Sequence, residues 1–96
     1  MHVISKKKLR DFWEQCFESR RPLEAWFKIV RSSRYQTFQE LRMTFPNADK
    51  VDDKVVFNIG GNKYRLITVI HFNRFKVYVR DVLTHEEYDQ GRWKDG

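Results

Sequence analysis

The stretch KVVFNIGGNKYRLITVIHFNRFKVYVRDVL, running from Lys54 to Leu83, decides the fold. It is rich in Val, Ile, Phe and Tyr, side chains that suit a pleated, half-buried surface. Three strands follow from it: Lys54 to Ile59, Tyr64 to Phe72 and Phe75 to Leu83. Gly60-Gly61-Asn62 turns the chain between the first two. A glycine pair can also cradle a phosphate, but no Lys-Ser/Thr pair of the Walker type follows, and a turn accounts for both glycines. Asn73-Arg74 is the expected two-residue loop of the second hairpin, although it lacks the glycine such loops favour.

Upstream the period changes to that of a helix. His2-Val3-Ile4 is a short strand candidate that ends at Ser5, a good N-cap. Leu9, Phe12, Trp13, Cys16 and Phe17 then fall on one stripe of an amphipathic helix. After a break at Ser19 to Arg21, Pro22 suits the first turn of a second helix, with the stripe Leu23, Trp26, Phe27 and Val30. Thr37 and Glu40 have capping-box spacing and open a short third helix carrying Phe38, Leu41 and Phe45, which Pro46-Asn47-Ala48-Asp49 ends. Thr84 and Glu87 repeat that spacing and open a last short helix, after which Gly91 to Gly96 reads as a frayed tail. This order predicts an α+β fold: a small, predominantly antiparallel sheet, N-terminal helices packed on one face, and a short C-terminal helix. Ninety-six residues are expected to make one domain, residues 1–96, around one core.

Successive strand residues point to opposite faces. With Asn73-Arg74 as the loop, Phe72 lies opposite Phe75, Ile70 opposite Val77, and Thr68 opposite Val79. One face collects Leu66, Ile70, Phe72, Phe75, Val77 and Val79, and is expected to bury against the helix stripes. The other receives Lys63, Arg65, Ile67, Val69 and His71 from one strand and Lys76, Tyr78 and Arg80 from its neighbour. Arg80 falls opposite Ile67, diagonal to Arg65 and within reach of a shared ligand. Two guanidinium groups so placed repel unless an anion or an acidic partner lies between them, and Asp52, Asp53 and Asp81 are the local acids. Tyr78 can stack a base or pack on the stem of Arg80. His85 and Tyr88 are one helical turn apart and share a side of the last helix, where Tyr88 is either a core anchor or a catalyst.

Nineteen Lys and Arg against 13 Asp and Glu give a net charge of +6, which points to a polyanionic partner, nucleic acid or an acidic protein. With 41% hydrophobic residues the chain is not disordered as a whole. Cys16 is the single cysteine, so no intramolecular disulfide forms and a reducing compartment suits the chain. Its place on the first stripe makes it a buried small hydrophobe. His2, His71 and His85 lie far apart without zinc-ligand spacing, so no metal site is expected. No apolar run is long enough to span a bilayer, and no signal peptide is expected. Lys6-Lys7-Lys8 reads as a solvated first helical turn.

The blocks Asn58-Ile59-Gly60-Gly61-Asn62-Lys63-Tyr64-Arg65 and Tyr78-Val79-Arg80-Asp81-Val82-Leu83-Thr84-His85-Glu86-Glu87-Tyr88-Asp89 resemble the two signature regions of HigB-type toxins. These are RelE-like ribonuclease halves of bacterial toxin–antitoxin pairs. Val3-Ile4-Ser5 with Leu9, Phe12 and Trp13 is similar to their first strand and helix, so the resemblance spans nearly the whole chain. It implies the RelE-like fold, a sheet backed by helices whose open face binds RNA. It also implies a metal-independent endoribonuclease that needs no cofactor and no membrane. Such an enzyme cleaves mRNA on the ribosome in the cytoplasm and is restrained by a cognate antitoxin protein. Carried over residue by residue, Arg65 matches the basic residue of the middle strand, Arg80 that of the following strand, and Tyr88 the aromatic residue near the C-terminus. With His85 these are the expected catalytic residues; Lys63, Lys76 and Tyr78 are the expected RNA-binding residues.

The implied reaction is attack of a 2′-hydroxyl on its own 3′ phosphate. It needs a proton acceptor, a proton donor and cations for the growing phosphorane charge. Arg65 and Arg80 would supply bidentate charge. Tyr88 or His85 would move the protons, and a tyrosine of pKa about 10 would need neighbouring cations to act as a base. The same basic face would serve a non-catalytic RNA- or ribosome-binding module, or a plain interaction domain with an acidic partner. The convergence of Arg65, Arg80, His85 and Tyr88 favours catalysis.

Overall fold

A computed structural model describes residues 1–95. Five strands form one mixed sheet: β1 (His2–Ile4), β2 (Asp49–Val51), β3 (Lys54–Ile59), β4 (Tyr64–His71) and β5 (Lys76–Thr84), in the order β1-β5-β4-β3-β2. Only β1 runs parallel to its neighbour, β5; the other pairs are antiparallel. Four α-helices, α1 (Lys6–Gln15), α2 (Arg20–Arg31), α3 (Phe38–Thr44) and α4 (His85–Gln90), complete the expected α+β fold. The short strand β2 was not foreseen, because three residues of mixed polarity carry no readable alternation.

The helix stripes bury as their spacing requires except at Phe17, which lies in a 3-10 turn beyond the end of α1 and is 72% exposed. Leu9, Trp13, Leu23, Trp26, Val30 and Leu41 join Val55, Phe57, Leu66, Val77 and Val79 in one core. Trp26 and Phe45 both meet Phe57 edge to face, with ring centroids 5.3 and 5.1 Å away. Thr37 accepts a hydrogen bond from the Glu40 amide and caps α3. The terminal amino group of Met1 donates to the carbonyls of Val30 and Arg31, where the α2 dipole favours a cation. Cys16 caps the C-terminus of α1, half-buried where the stripe packs on the core, with its Sγ 3.0 Å from the Tyr64 hydroxyl. That hydrogen bond, with burial, pushes the Tyr64 phenol up to about 12. Gly60, at φ +64, makes the β3–β4 turn, and a Cβ there would also press on the Tyr64 ring.

The β4–β5 hairpin departs from the expected parity twice. Its loop takes residues 72–75 rather than Asn73-Arg74 alone: Phe72–Arg74 forms a 3-10 turn and Phe75 is left-handed at φ 53. Without a glycine for a tight primed turn, the chain closes through this longer path. Phe72 and Phe75 therefore do not pair, whereas Ile70 opposite Val77 and Thr68 opposite Val79 hold as read. Beyond Thr68 a bulge intervenes, and Ile67 faces Asp81 instead of Arg80. The cause lies in the sequence Val79-Arg80-Asp81-Val82. Strict alternation would drive the Asp81 carboxylate into the core; one extra residue keeps it out and brings Val82 in, 6% exposed. The tail is not frayed either, since Arg92–Asp95 forms a 3-10 turn; Gly96 lies outside the described residues.

Leu66 is fully buried between sheet and helices. Leu66→Ala should lower unfolding free energy by about 2–5 kcal/mol. Lys7→Ala, which removes only an exposed pairing to Asp11, should change it by less than about 0.5 kcal/mol. Urea titration of the two variants checks both values.

Candidate functional site

The sheet face turned from α1 and α2 is not open along its whole length. Val56 and Ile67 lie on it yet are 2% and 1% exposed. The C-terminal segment lies along this face, with Tyr88 lining one cleft with Val56 and Trp93 lining another with Ile67. Helix α4 has only six residues, so its position rests on specific bonds rather than on its own helicity. The predicted capping box is present: Thr84 Oγ1 accepts from the Glu87 amide at 3.2 Å and Glu87 Oε1 from the Thr84 amide at 2.9 Å. The His85 amide donates to the Lys63 carbonyl at 3.0 Å, tying the helix start to the β3–β4 turn.

Arg65 was expected as an exposed cation; it is 9% exposed. Its Nη1 donates to the carbonyls of Asn62 and Tyr64, both at 3.2 Å, and its Nη2 lies 3.1 Å from His85 Nδ1. Arginine has no lone pair to offer, so Nδ1 accepts and the imidazole proton sits on Nε2. Nε2 in turn lies 3.1 Å from Asp89 Oδ2. The result is a directed chain, Arg65 to His85 to Asp89, that fixes the histidine tautomer. The Arg65 guanidinium also sits 5.5 Å from the centroid of the Tyr88 ring. On Tyr88 lies Trp93, stacked at 5.0 Å and 14°, with its Nε1 donating to the Tyr88 carbonyl at 3.0 Å.

The electrostatics of Tyr88 reverse the expectation drawn from its cationic surroundings. Burial, above all, and the Asp49 carboxylate push its phenol above the ordinary tyrosine value; Arg65 pulls the other way and is outweighed. Tyr88 therefore keeps its proton firmly. It is a hydrogen-bond donor at neutral pH and a poor base.

Two clefts open beside the Tyr88–Trp93 stack. One is lined by Arg65, Tyr88, Asn58, Arg42 and Asp49, the other by Arg80, Lys54, Arg92, Trp93, Asp81 and Glu87. Arg65 and Arg80 thus do not share a cleft, because the bulge gives Asp81 the place opposite Ile67 that simple alternation assigns to Arg80. Lys63 lies on the β3–β4 turn, exposed and 3.6 Å from Glu18. Lys76 and Tyr78 sit at the far end of β5, where the Tyr78 ring meets His71 at 5.3 Å. None of these three lines either cleft.

Sequence reading missed Asp89, Trp93, Arg42, Asp49 and Asn58. Asp89 was within reach, being four residues after His85 on a helix. Trp93 follows a helix-ending glycine in a stretch without period, and Arg42 and Asp49 arrive from α3 and β2 through tertiary packing alone. Among the described residues no three His, Cys, Asp or Glu side chains are grouped to hold a metal ion, and no helix is long and apolar enough to cross a membrane.

A family model for the HigB toxin, the RelE-like toxic component of a toxin–antitoxin system, matches residues 19–91. The mRNA interferase toxin HigB of Escherichia coli (strain K12) is 34% identical over 92 residues, covering 93% of this chain and 88% of that protein. The mRNA interferase HigB of Escherichia coli O6:H1 (strain CFT073) is 30% identical over 93 residues, 94% of this chain and 90% of its own length. The chain therefore belongs to the HigB toxin family, the RelE-like toxic components of toxin–antitoxin systems.

Proposed function

We propose that this chain is the toxin of a type II toxin–antitoxin pair, an endoribonuclease that cleaves messenger RNA on the translating ribosome without a metal ion. It acts in the cytoplasm as a single domain and is silenced by a cognate antitoxin. The observation that carries this reading is the Arg65–His85–Asp89 chain in a HigB-family toxin, with Tyr88 over the guanidinium and Arg65 and Tyr88 lining one cleft beside it.

In the reaction, the RNA 2′-hydroxyl oxygen forms a bond to the adjacent phosphorus and the bond from phosphorus to the 5′ oxygen breaks. The products are a cyclic phosphate and a free 5′-hydroxyl. Arg65 donates to the non-bridging oxygens as their charge grows, supplying the charge a metal would otherwise bring. To do so its Nη2 leaves His85 Nδ1, whose lone pair then accepts the 2′-hydroxyl proton. Asp89 holds the Nε2 proton and offsets the imidazolium charge that forms. Tyr88, kept protonated by its surroundings, gives its proton to the departing 5′ oxygen.

Induced expression of the chain in bacteria should arrest growth, with primer extension on a reporter messenger showing new ends inside the reading frame. Co-expression of a neighbouring antitoxin gene should relieve it. Normal growth with intact transcripts, at a verified level of folded protein, would count decisively against a toxin.

Arg65→Lys keeps the charge but loses the fork, and should cost about a hundredfold to a thousandfold in single-turnover rate. Tyr88→Phe should slow cleavage while leaving melting temperature and RNA affinity unchanged. Its rate between pH 7 and 9 should run parallel to the native profile. A native rate that rises with pH and loses that rise in Tyr88→Phe would make the tyrosine a base instead.

EDTA should leave the cleavage rate unchanged when ribosomal magnesium is held by a matched buffer. Loss of activity that only zinc or manganese restores would sink the metal-free reaction.

A further inference from the structure

We propose that the cleft on the Trp93 side is a second phosphate subsite, in which Arg80, Arg92 and Lys54 hold the substrate phosphate one nucleotide away from the one Arg65 grips. This rests on the ribonuclease reading above, and it moves Arg80 from chemistry to binding. The geometry begins with the bulge. By admitting an extra residue into β5 it re-aims Arg80 out of the slot opposite Ile67 and into a cleft that Arg65 does not line.

The cleft carries three cations and two acids. Both acids are already engaged with the main chain: Asp81 Oδ1 accepts from the Val82 amide at 3.0 Å and Glu87 Oε1 from the Thr84 amide at 2.9 Å. The side chains of Arg80 and Arg92 are exposed, and among the described residues neither is within ion-pair distance of a carboxylate, although the Asp53 carboxylate is near enough to feel the Arg80 charge. Lys54 keeps its amine 3.3 Å from the exposed carboxylate of Asp53. Two unpaired guanidinium groups at one cleft repel unless an anion joins them. A single strand supplies one phosphate per nucleotide, and proteins that follow such strands do so with a row of cations beside aromatic side chains. Here the Tyr88–Trp93 stack stands between the two basic clefts, so a strand crossing it presents successive phosphates to Arg65 and to Arg80 with Arg92.

The test uses the purified chain and a fluorescent 2′-O-methyl RNA trinucleotide, which cannot be cleaved and has two linkages. Each linkage is replaced in turn by a neutral methylphosphonate, and affinity is measured over a range of salt. Neutralising either linkage should weaken native binding about tenfold, as expected for one lost charged contact. In Arg80→Gln and Arg92→Gln one linkage should become indifferent to neutralisation while the other keeps its full effect. In Arg65→Gln the indifferent linkage should be the opposite one; the Arg80→Gln and Arg92→Gln arms decide by themselves if this variant melts early. Arg65→Gln, and Arg80→Gln combined with Arg92→Gln, should each flatten the logarithmic salt dependence by up to about 0.7, the value for one single-strand phosphate.

Coupling of Arg65 and Arg80 to the same linkage would overturn the proposal, since both would then grip one phosphate. So would native affinity and salt slope in Arg80→Gln, or native protein that binds the charged and neutral trinucleotides alike. Failure of the ribonuclease reading itself shows separately, as intact transcripts on expression, whatever the trinucleotide reports.

Discussion

The hydrogen bond from Arg65 to His85 joins the middle strand to the C-terminal helix, and the whole candidate site depends on it. A guanidinium that is only 9% exposed needs acceptors for its buried N–H donors, and Arg65 finds three: two carbonyls of its own turn and the imidazole. The carbonyls fix the fork to the sheet. The imidazole fixes it to α4, a helix too short to hold its own place. That contact sets the tautomer of His85, and together with the capping box and the His85 amide bond to the Lys63 carbonyl it holds Asp89 and Tyr88 in place.

The bulge in β5 has an equally wide reach. It exists because Val82 belongs in the core and Asp81 does not, a requirement of burial and not of catalysis. Yet its consequence is functional geometry: the two arginines that simple alternation would bring to one ligand line separate clefts. A residue inserted to satisfy the apolar face thereby sets the chemistry of the polar face.

Most of the fold was legible in the chain, because it is written in period. The stripes Leu9-Trp13 and Leu23-Trp26-Val30, the capping pairs Thr37-Glu40 and Thr84-Glu87, and the three strands all form where spacing put them. What failed was wherever period breaks: the bulge at Val79-Arg80-Asp81-Val82, the longer loop through Phe75, the short strand β2, and the turn that carries Trp93. The site was half legible for the same reason. His85 and Tyr88 share a helix face and do meet Arg65, whereas Arg80 lines the neighbouring cleft and Lys63, Lys76 and Tyr78 line neither. The lift in the Tyr88 pKa could not be read at all, since it comes from burial and from Asp49, which reaches the site only through tertiary packing.

The resting geometry also bears on when the site becomes active. Each acceptor that Arg65 holds is neutral: two carbonyl oxygens and one imidazole nitrogen. A phosphate oxygen is charged, so its Coulomb attraction to the guanidinium exceeds that of a neutral acceptor at the same distance. A substrate phosphate entering the cleft therefore competes well for Nη2, the arm that reaches His85. Nη1 can stay on its turn and keep the guanidinium anchored. In the proposed reaction, moving that single arm frees the lone pair on Nδ1 to accept the proton of the 2′-hydroxyl. Asp89 still holds Nε2, so the ring does not rotate away when Arg65 lets go. In the proposed reaction the base is masked until the phosphate itself unmasks it, and Tyr88, whose proton is held by burial, needs no such trigger.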